Sequence, residues 1–301
     1  MKRITKNTLM ITTFGLATLF ACNKSNNDIP LPNIDGYANS DAVASANLIA
    51  YWPLDGNSTD KKRNLAATSV SNVTYATGIK GQGGQFANGY IYSANALTSL
   101  ATNQPWTVSA WIQVANNGLA GGSPPANNHP YQYFQATVPG SLFGNINLLV
   151  EAGQYPTASD TLFFKSLYKD PSGGQQDAVN NYGIAGTDYL VVKKGGTGQW
   201  IHMVTTYNPA GGTGAQSIFR IYADSAQVSN KLYENRGTNA FTYTTGEVII
   251  GGWYNNIPGK TVSADTWTTA FTGKIDEVRV FSKVLSTDEI TALYHLGKAG
   301  R

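Results

Sequence analysis

The sequence predicts an all-β protein, and three of its features lead to that prediction. Only 13% of the 301 residues are charged, 32 are glycine, and stretches rich in Ala, Leu, Glu and Lys that form long helices are missing. From Asn47 onward, short runs with two-residue alternation are separated by clusters of Gly, Asn, Asp and Pro, which is the pattern of a β-sandwich or barrel. With 42% hydrophobic and 11% aromatic residues, the chain can bury a substantial core.

The predicted strands follow one another at short intervals. Their bounds are 48–53, 89–93, 106–114, 148–152, 161–168, 199–207, 216–223, 246–252 and 273–281. In the third of these, Val108 and Ala110 share one face while Ser109 and Trp111 share the other, because successive side chains of a strand point to opposite sides. Such a strand has one face toward a core.

One helix and one long loop complete the predicted elements. Ser286 and Glu289 have the spacing of a capping box, apolar residues follow at helical intervals, and Gly297 is the expected stop. Residues 116–139 are rich in Gly, Pro and Asn and predict a long loop, a feature that is often functional in compact domains.

The amino terminus predicts export. Residues 1–21 have a basic start and then an apolar run of about 14 residues, too short to span a bilayer, which typifies a secretory signal peptide. The run ends in LFAC, which resembles the lipobox of bacterial lipoproteins, and Cys22 is the only cysteine. That resemblance implies a lipid on Cys22 and a place at the bacterial outer membrane, periplasmic or surface-exposed; the alternative is that Cys22 is an ordinary residue or a free thiol.

The segments that flank the folded part are short and polar. Residues 22–46 are polar and punctuated by proline, and predict a flexible tether. One domain is expected at 47–297, followed by a tail at 298–301.

The net charge argues against nucleic acid as a partner. The formal charge of +3 comes from Lys2, Arg3 and Lys6 in the predicted signal peptide, and the rest of the chain has 18 basic and 18 acidic residues. Nucleic-acid binding needs a basic surface, which such a balanced chain does not provide.

Five sequence blocks carry a family resemblance. They are LIAYWPLDGN at 48–57, GQGGQF at 81–86, WTVSAWI at 106–112, GQWIHMVTTYN at 198–208 and FTGKIDEVRVF at 271–281. In this order they resemble the laminin-G-like jelly rolls of the concanavalin A-like superfamily. The resemblance implies two stacked antiparallel sheets, one concave, with ligands taken by rim loops, and the stretch between residues 114 and 199 is longer than is usual for the family.

The carboxylates argue against catalysis. Glycoside hydrolysis generally needs two carboxylates that flank the scissile bond, and enzymes of this superfamily carry them on a Glu-x-Asp-x-x-Glu strand. The chain has five glutamates, none with Asp two positions on. We therefore expect no enzyme; dispersed acids such as Glu151 and Glu247 are the alternative, and His202 is expected to be a sheet histidine.

Oxygen-bearing side chains after the first strand indicate a calcium site. Calcium takes six to eight oxygen ligands, including carboxylates and amides. The sequence offers Asp55, Asn57 and Asp60, and the family resemblance implies that Asp276 of the last strand lies near them. The alternative is a solvated turn, with Asp276 paired to Arg279.

Aromatic residues outside the family blocks are the candidates for ligand binding. Aromatic rings with nearby amides suit carbohydrate, because a ring offers flat apolar area and Tyr and Trp add a polar group. Trp52, Trp111 and Trp200 are expected to be core. The candidates are Tyr131, Tyr133, Trp253, Tyr254, Asn255 and Trp267.

These observations favour a lipid-tethered, non-catalytic module that binds carbohydrate or cell-envelope glycan outside the cytoplasm. A protein-binding adhesin is the first alternative, and a glycan-cleaving enzyme is the second.

Overall fold

A computed structural model describes residues 30–118, 129–180, 191–196 and 198–301. Contacts divide the chain into two units, Met1–Pro32 and Asn33–Arg301, and the elements belong to the second. The elements are three-residue 3-10 helices at Ser40–Ala42, Ser45–Asn47, Lys231–Tyr233 and Tyr254–Asn256, the helix α1 (Thr287–Lys298), and the strands β1 (Leu48–Trp52), β2 (Ser69–Thr77), β3 (Gln82–Ser93), β4 (Trp106–Gln113), β5 (Tyr131–Ala136), β6 (Ile146–Val150), β7 (Thr161–Leu162), β8 (Phe164–Lys169), β9 (Gln175–Val179), β10 (Val192–Lys193), β11 (Ile201–Asn208), β12 (Ile218–Ala223), β13 (Ala226–Gln227), β14 (Val248–Ile250) and β15 (Phe271–Phe281).

Thirteen strands form one antiparallel sheet that curls over itself. The order is β13-β12-β11-β4-β15-β3-β14-β5-β6-β8-β9, with β1 on β15 and β2 on β3, while β7 and β10 form a separate pair. The two halves face each other: the hydroxyls of Ser166 on β8 and Thr205 on β11 are 2.9 Å apart, and the Trp52 and Phe134 rings meet at 6.5 Å. The predicted all-β two-layer sandwich with one C-terminal helix is confirmed.

One predicted loop contains a strand. Residues 131–136 form β5 in the middle of the sheet, between β14 and β6. Their sequence, YQYFQA, is short and follows a stretch rich in Gly and Pro, so local composition hides it. The loop prediction is wrong for these six residues, and the polar, mostly accessible strand β2 was also missed.

The helix α1 closes one face of the sandwich. The predicted capping box is confirmed, because the Ser286 hydroxyl accepts from the Glu289 N–H and the Glu289 carboxylate accepts from the Ser286 N–H. Gly297 lies within the helix rather than after it, and a Cβ there would come 2.5 Å from the Trp111 ring. The Trp52 and Trp111 side chains are buried as predicted, whereas Trp200 is only half-buried.

Residues 33–46, which lie within the predicted tether, pack on the body. Val43 is buried beside Leu293 and Phe281. Asp41 forms ion pairs with Arg279 at 3.0 Å and Lys80 at 3.4 Å. Burial would raise the pKa of Asp41, but these positive neighbours lower it to about 2.

Candidate functional site

Two adjoining cavities lie where β3, β4 and β15 meet the approach to β5, and we call them together the groove. One cavity measures about 390 Å³ and the other about 450 Å³, and both are lined by Thr272. The lining residues of the first are Gln85, Phe86, Ala87, Gln113, Val114, Ala115, Gly196, Gly198, Thr272, Gly273 and Lys274, and those of the second are Asn88, Asn117, His129, Tyr131, Thr269, Ala270 and Thr272.

A row of polar side chains crosses three strands at the first cavity. Lys274 on β15 lies directly opposite Gln85 on β3 and Gln113 on β4. Residues paired in this way have Cβ atoms about 5 Å apart and lie on one face of the sheet. The Gln113 amide also donates to the Gly198 carbonyl at 2.8 Å, which ties the row to the neighbouring loop.

Gly273 keeps the strands close at this point. Its φ is +142°, and a Cβ would lie 2.2 Å from the Gln113 carbonyl oxygen. Only glycine fits there without a shift of the backbone.

Tyr131 and His129 border the second cavity. Tyr131 is half-buried, and its ring packs on Phe271 at a centroid distance of 5.7 Å. The His129 carbonyl accepts from the Asn117 amide at 3.1 Å, and the His129 Nδ1 atom is 3.3 Å from the Trp267 carbonyl oxygen. The groove therefore combines the Tyr131 ring and the buried Phe86 ring with amide, hydroxyl, imidazole and ammonium groups.

Three predicted ligand-binding rings lie in the interior. Tyr133 and Trp253 are each 1% exposed and Tyr254 is 5% exposed. Burial raises the pKa of the Tyr133 hydroxyl, although hydrogen bonds to Thr205 and Ser166 oppose the shift. In this conformation none of the three rings can offer a face to a ligand, which corrects the expectation for them.

Trp253 and Trp267 instead contact the segment that leads into β5 beside the groove. The Trp253 indole N–H donates to the Pro130 carbonyl at 3.1 Å, and the two indoles pack edge to face at 5.2 Å. Since Trp267 also contacts His129 through its carbonyl, both tryptophans position the backbone immediately before Tyr131.

The predicted amide Asn255 is committed to its own loop. Its Nδ2 donates to the Ser263 hydroxyl at 2.8 Å, and its Oδ1 accepts from the Val262 N–H at 2.9 Å. Of the six predicted ligand-binding residues, the structure places only Tyr131 on the groove lining.

The predicted calcium ligands separate into two groups. The buried Asp60 carboxylate accepts from the Tyr51 and Lys62 N–H groups, both at 3.0 Å, and pairs with Arg63. Asn57 bonds within its own turn, accepting from Thr59 at 2.9 Å. These two residues hold the loop after β1, so the structure does not bring them into a shared ligand set with Asp276.

Asp55 and Asp276 do meet on one turn, between β2 and β3. The Asp55 Oδ1 accepts from the Gln82 N–H at 2.7 Å, and the Asp276 Oδ2 accepts from the Ile79 N–H at 2.8 Å. A Cβ on Gly78 would lie 2.3 Å from the Asp276 Oδ2, so the turn closes tightly over this carboxylate.

The Asp276 carboxylate fits a cation in one respect. Its Oδ1 is buried and has no hydrogen-bond partner among the described residues. Burial, followed by the neighbouring charge of Glu277, raises the pKa of Asp276 to about 8. Across the described ranges, no group of three or more His, Cys, Asp or Glu is placed to hold a metal, so any further ligands would be backbone carbonyls, amides or water.

Carboxylates are missing from the described lining of the groove. Of the two dispersed acids, Glu247 pairs with Lys260 at 2.7 Å and accepts from the Tyr92 hydroxyl at 3.2 Å, away from the groove. Its partners are those of a structural acid.

Most of the groove residues were missed from the sequence. Two-residue alternation could have marked Gln85, Gln113 and Lys274 as outward-facing on their strands. No local signal predicts that they stand side by side, because that depends on the register of strands distant in the chain.

The strand geometry places this protein in the class of antiparallel β-sandwiches with curled sheets. Sequence comparison identifies its family. Residues 82–291 match the Laminin_G_3 family of the concanavalin A-like lectin/glucanases superfamily, and the chain belongs to that family. A comparison with curated protein sequences finds no match.

Solved structures with a similar fold include several binding domains. The receptor binding domain of botulinum neurotoxin mosaic serotype C/D is 14% identical with a TM-score of 0.53, over 84% of this chain and 51% of that one. The binding domain of Paraclostridial Mosquitocidal Protein 1 is 13% identical with a TM-score of 0.51, over 83% and 52%. Domain 4 of AbnA, an extracellular arabinanase from Geobacillus stearothermophilus in complex with arabinotriose, is 16% identical with a TM-score of 0.49, over 82% and 98%. The chain thus spans about half of the first two of these binding domains.

Proposed function

We propose that this chain is a non-catalytic binding module for carbohydrate or cell-envelope glycan, and that the groove is its ligand site. The observation that carries the proposal is the placement of the half-buried Tyr131 ring beside the amides of Asn88 and Asn117 in one cavity. Sugars are bound by aromatic faces that cover C–H groups and by amides that bond hydroxyls. Membership in a superfamily described by its lectins and glucanases supports a sugar ligand.

Two further observations favour binding over cleavage. Hydrolysis of a glycosidic bond generally takes two carboxylates about 5–9 Å apart. The groove lining contains none in the described ranges, and the Glu247 carboxylate is held by Lys260. The similar toxin structures are named as binding domains, which is consistent with this proposal.

A glycan array with the purified protein tests the proposal. Tyr131→Ala should lower affinity for the bound glycan about five- to thirtyfold, since a ring contact contributes about 1–2 kcal/mol. Tyr233→Ala is the matched control, because Tyr233 is 48% exposed and lies outside the groove. No binding to any glycan, or equal binding by the two variants, would contradict the proposal.

We further propose that calcium binds at the turn between β2 and β3, with Asp276 and Asp55 as the carboxylate ligands. The ion would partner the orphaned Asp276 Oδ1 and join the loop after β1 to the last strand. Millimolar calcium should raise the melting temperature, since a ligand that binds only the folded state stabilises it. Asp276→Asn should abolish that rise, and the exposed Asp265→Asn should keep it; an unchanged melting temperature in calcium would argue against the site.

We also propose a lipid anchor on Cys22 and a place at the outer membrane, on the sequence features alone. Cys22 lies outside the described residues. No helix in the described ranges is both long and apolar enough to cross a membrane. Radiolabelled palmitate should label the parent protein in bacteria but not Cys22→Ser, and the variant should leave the membrane fraction; equal labelling of both would refute the anchor.

A further inference from the structure

The described lining of the groove contains basic side chains and no acidic ones. The titratable side chains on its described lining are Lys274, His129 and the Tyr131 phenol, and there is no Asp or Glu. The surface therefore offers an ammonium without an opposing carboxylate inside a concave site.

Lys274 lacks the carboxylate partner that most other partly buried lysines have, Lys169 being another without one. Lys260 pairs with Glu247 at 2.7 Å and Lys283 pairs with Glu289 at 2.7 Å, and Lys194 pairs with Asp224. Among the described residues, no carboxylate lies within ion-pair distance of Lys274, which is half-buried between Gln85 and Gln113.

Such an ammonium favours a ligand that brings its own negative charge. A half-buried charge is less screened by water than a fully exposed one, so an anionic group placed against it gains more attraction. The neighbouring glutamine amides can donate further hydrogen bonds to the same anionic oxygens.

We propose that the groove takes an acidic glycan, with a carboxylate or sulfate of one sugar unit bound at Lys274 and the sugar ring extending toward Tyr131. This inference rests on the proposed function and adds the ligand's charge to it. It does not follow from overall charge, because beyond the predicted signal peptide the chain has equal numbers of basic and acidic residues.

Matched pairs of glycans test the inference by isothermal titration calorimetry. Polygalacturonate is compared with its fully methyl-esterified form, and dextran sulfate with dextran. The expected result is at least tenfold tighter binding of the charged member of one or both pairs, which also identifies carboxylate or sulfate as the group. This preference should weaken between about 50 and about 500 mM NaCl, since salt screens the charge.

Variants at Lys274 link the preference to the site. Lys274→Met should lower affinity for the acidic glycan about tenfold, which is the effect of one charged hydrogen bond, and leave the neutral glycan unchanged. Lys274→Arg should retain the preference, and Lys62→Met is the control because Lys62 is exposed and outside the groove.

Failure of this inference can be distinguished from failure of the proposed function. Equal affinity for neutral and acidic members, or an acidic preference that survives in Lys274→Met as strongly as in Lys62→Met, overturns the inference and leaves the proposed function standing. Absence of binding to every neutral and acidic glycan overturns both.

Discussion

Two buried groups should make opposing contributions to the dependence of this protein's stability on pH. His202 on β11 is 1% exposed, its Nε2 is 2.8 Å from the Ser109 hydroxyl, and its ring stacks on Trp111 at 4.9 Å. Burial, followed by the charge of Arg279, lowers the pKa of His202 to about 3. Burial raises the pKa of Asp276 to about 8. The two pKa shifts therefore change the free energy of unfolding in opposite directions as the pH changes.

The signs follow from proton counting. Below pH 6.5 the unfolded His202 takes up a proton that the folded one refuses, so the stability that the neutral imidazole contributes is lost as pH falls toward 3. Between pH 3.8 and 8 the folded Asp276 keeps a proton that the unfolded one releases, so stability is lost as pH rises through that range. One proton difference changes the free energy of unfolding by about 1.4 kcal/mol per pH unit.

The two contributions should offset each other in the parent protein. From about pH 7.5 to about pH 4.5, His202 alone would remove roughly 3 kcal/mol and Asp276 alone would add roughly 4 kcal/mol. Asp276→Asn should therefore expose a loss of roughly 3 kcal/mol on acidification, whereas the parent should gain roughly 1 kcal/mol.

Urea unfolding followed by tryptophan fluorescence, in EDTA at half-unit pH steps, measures this difference. Adding His202→Gln to Asp276→Asn should flatten the profile again, and His295→Gln, at an exposed histidine, is the control for the loss of an imidazole. Identical pH profiles for the parent and Asp276→Asn, or a loss that persists without His202, would refute the reasoning. The window stays above pH 4.5 because Asp41, whose pKa is about 2, adds its own loss in stronger acid.

Two further predictions concern packing at the last strand and the helix. Arg279→Met removes the closest cation of the buried Glu277 carboxylate, at 2.5 Å, and leaves it Lys80 at 3.6 Å and the Tyr51 hydroxyl. It should lower the free energy of unfolding by about 3 kcal/mol. Adding Glu277→Gln should recover most of this loss, and a double variant as unstable as the single one would contradict the reasoning. Gly297→Ala should lower stability by about 1–3 kcal/mol despite alanine's better helix propensity, because the new Cβ would come 2.5 Å from the Trp111 ring; a higher melting temperature would show that α1 can shift at no cost.

Some features of this protein were determined by the sequence alone, because they depend on neighbours along the chain. The alternation of Val108 and Ser109 predicts a strand with two different faces, whatever its partners are, although the structure buries both faces. The hydroxyl of Ser286 and the carboxylate of Glu289 cap a helix within a single turn. The ordered family blocks extend this local information to the jelly-roll fold, and the match over residues 82–291 confirms the family.

The candidate site was decided by tertiary structure. Tyr131 and Tyr133 are two residues apart and equally aromatic, yet the register shifts between Gln132 and Phe134, and Tyr133 is enclosed while Tyr131 borders the groove. Lys274 likewise becomes part of the candidate site only because its strand pairs with strands that are remote in sequence. Periodicity predicts which side of a strand a residue faces. The residues that lie beside it depend on the long-range pairing of strands, which is set by the sheet as a whole.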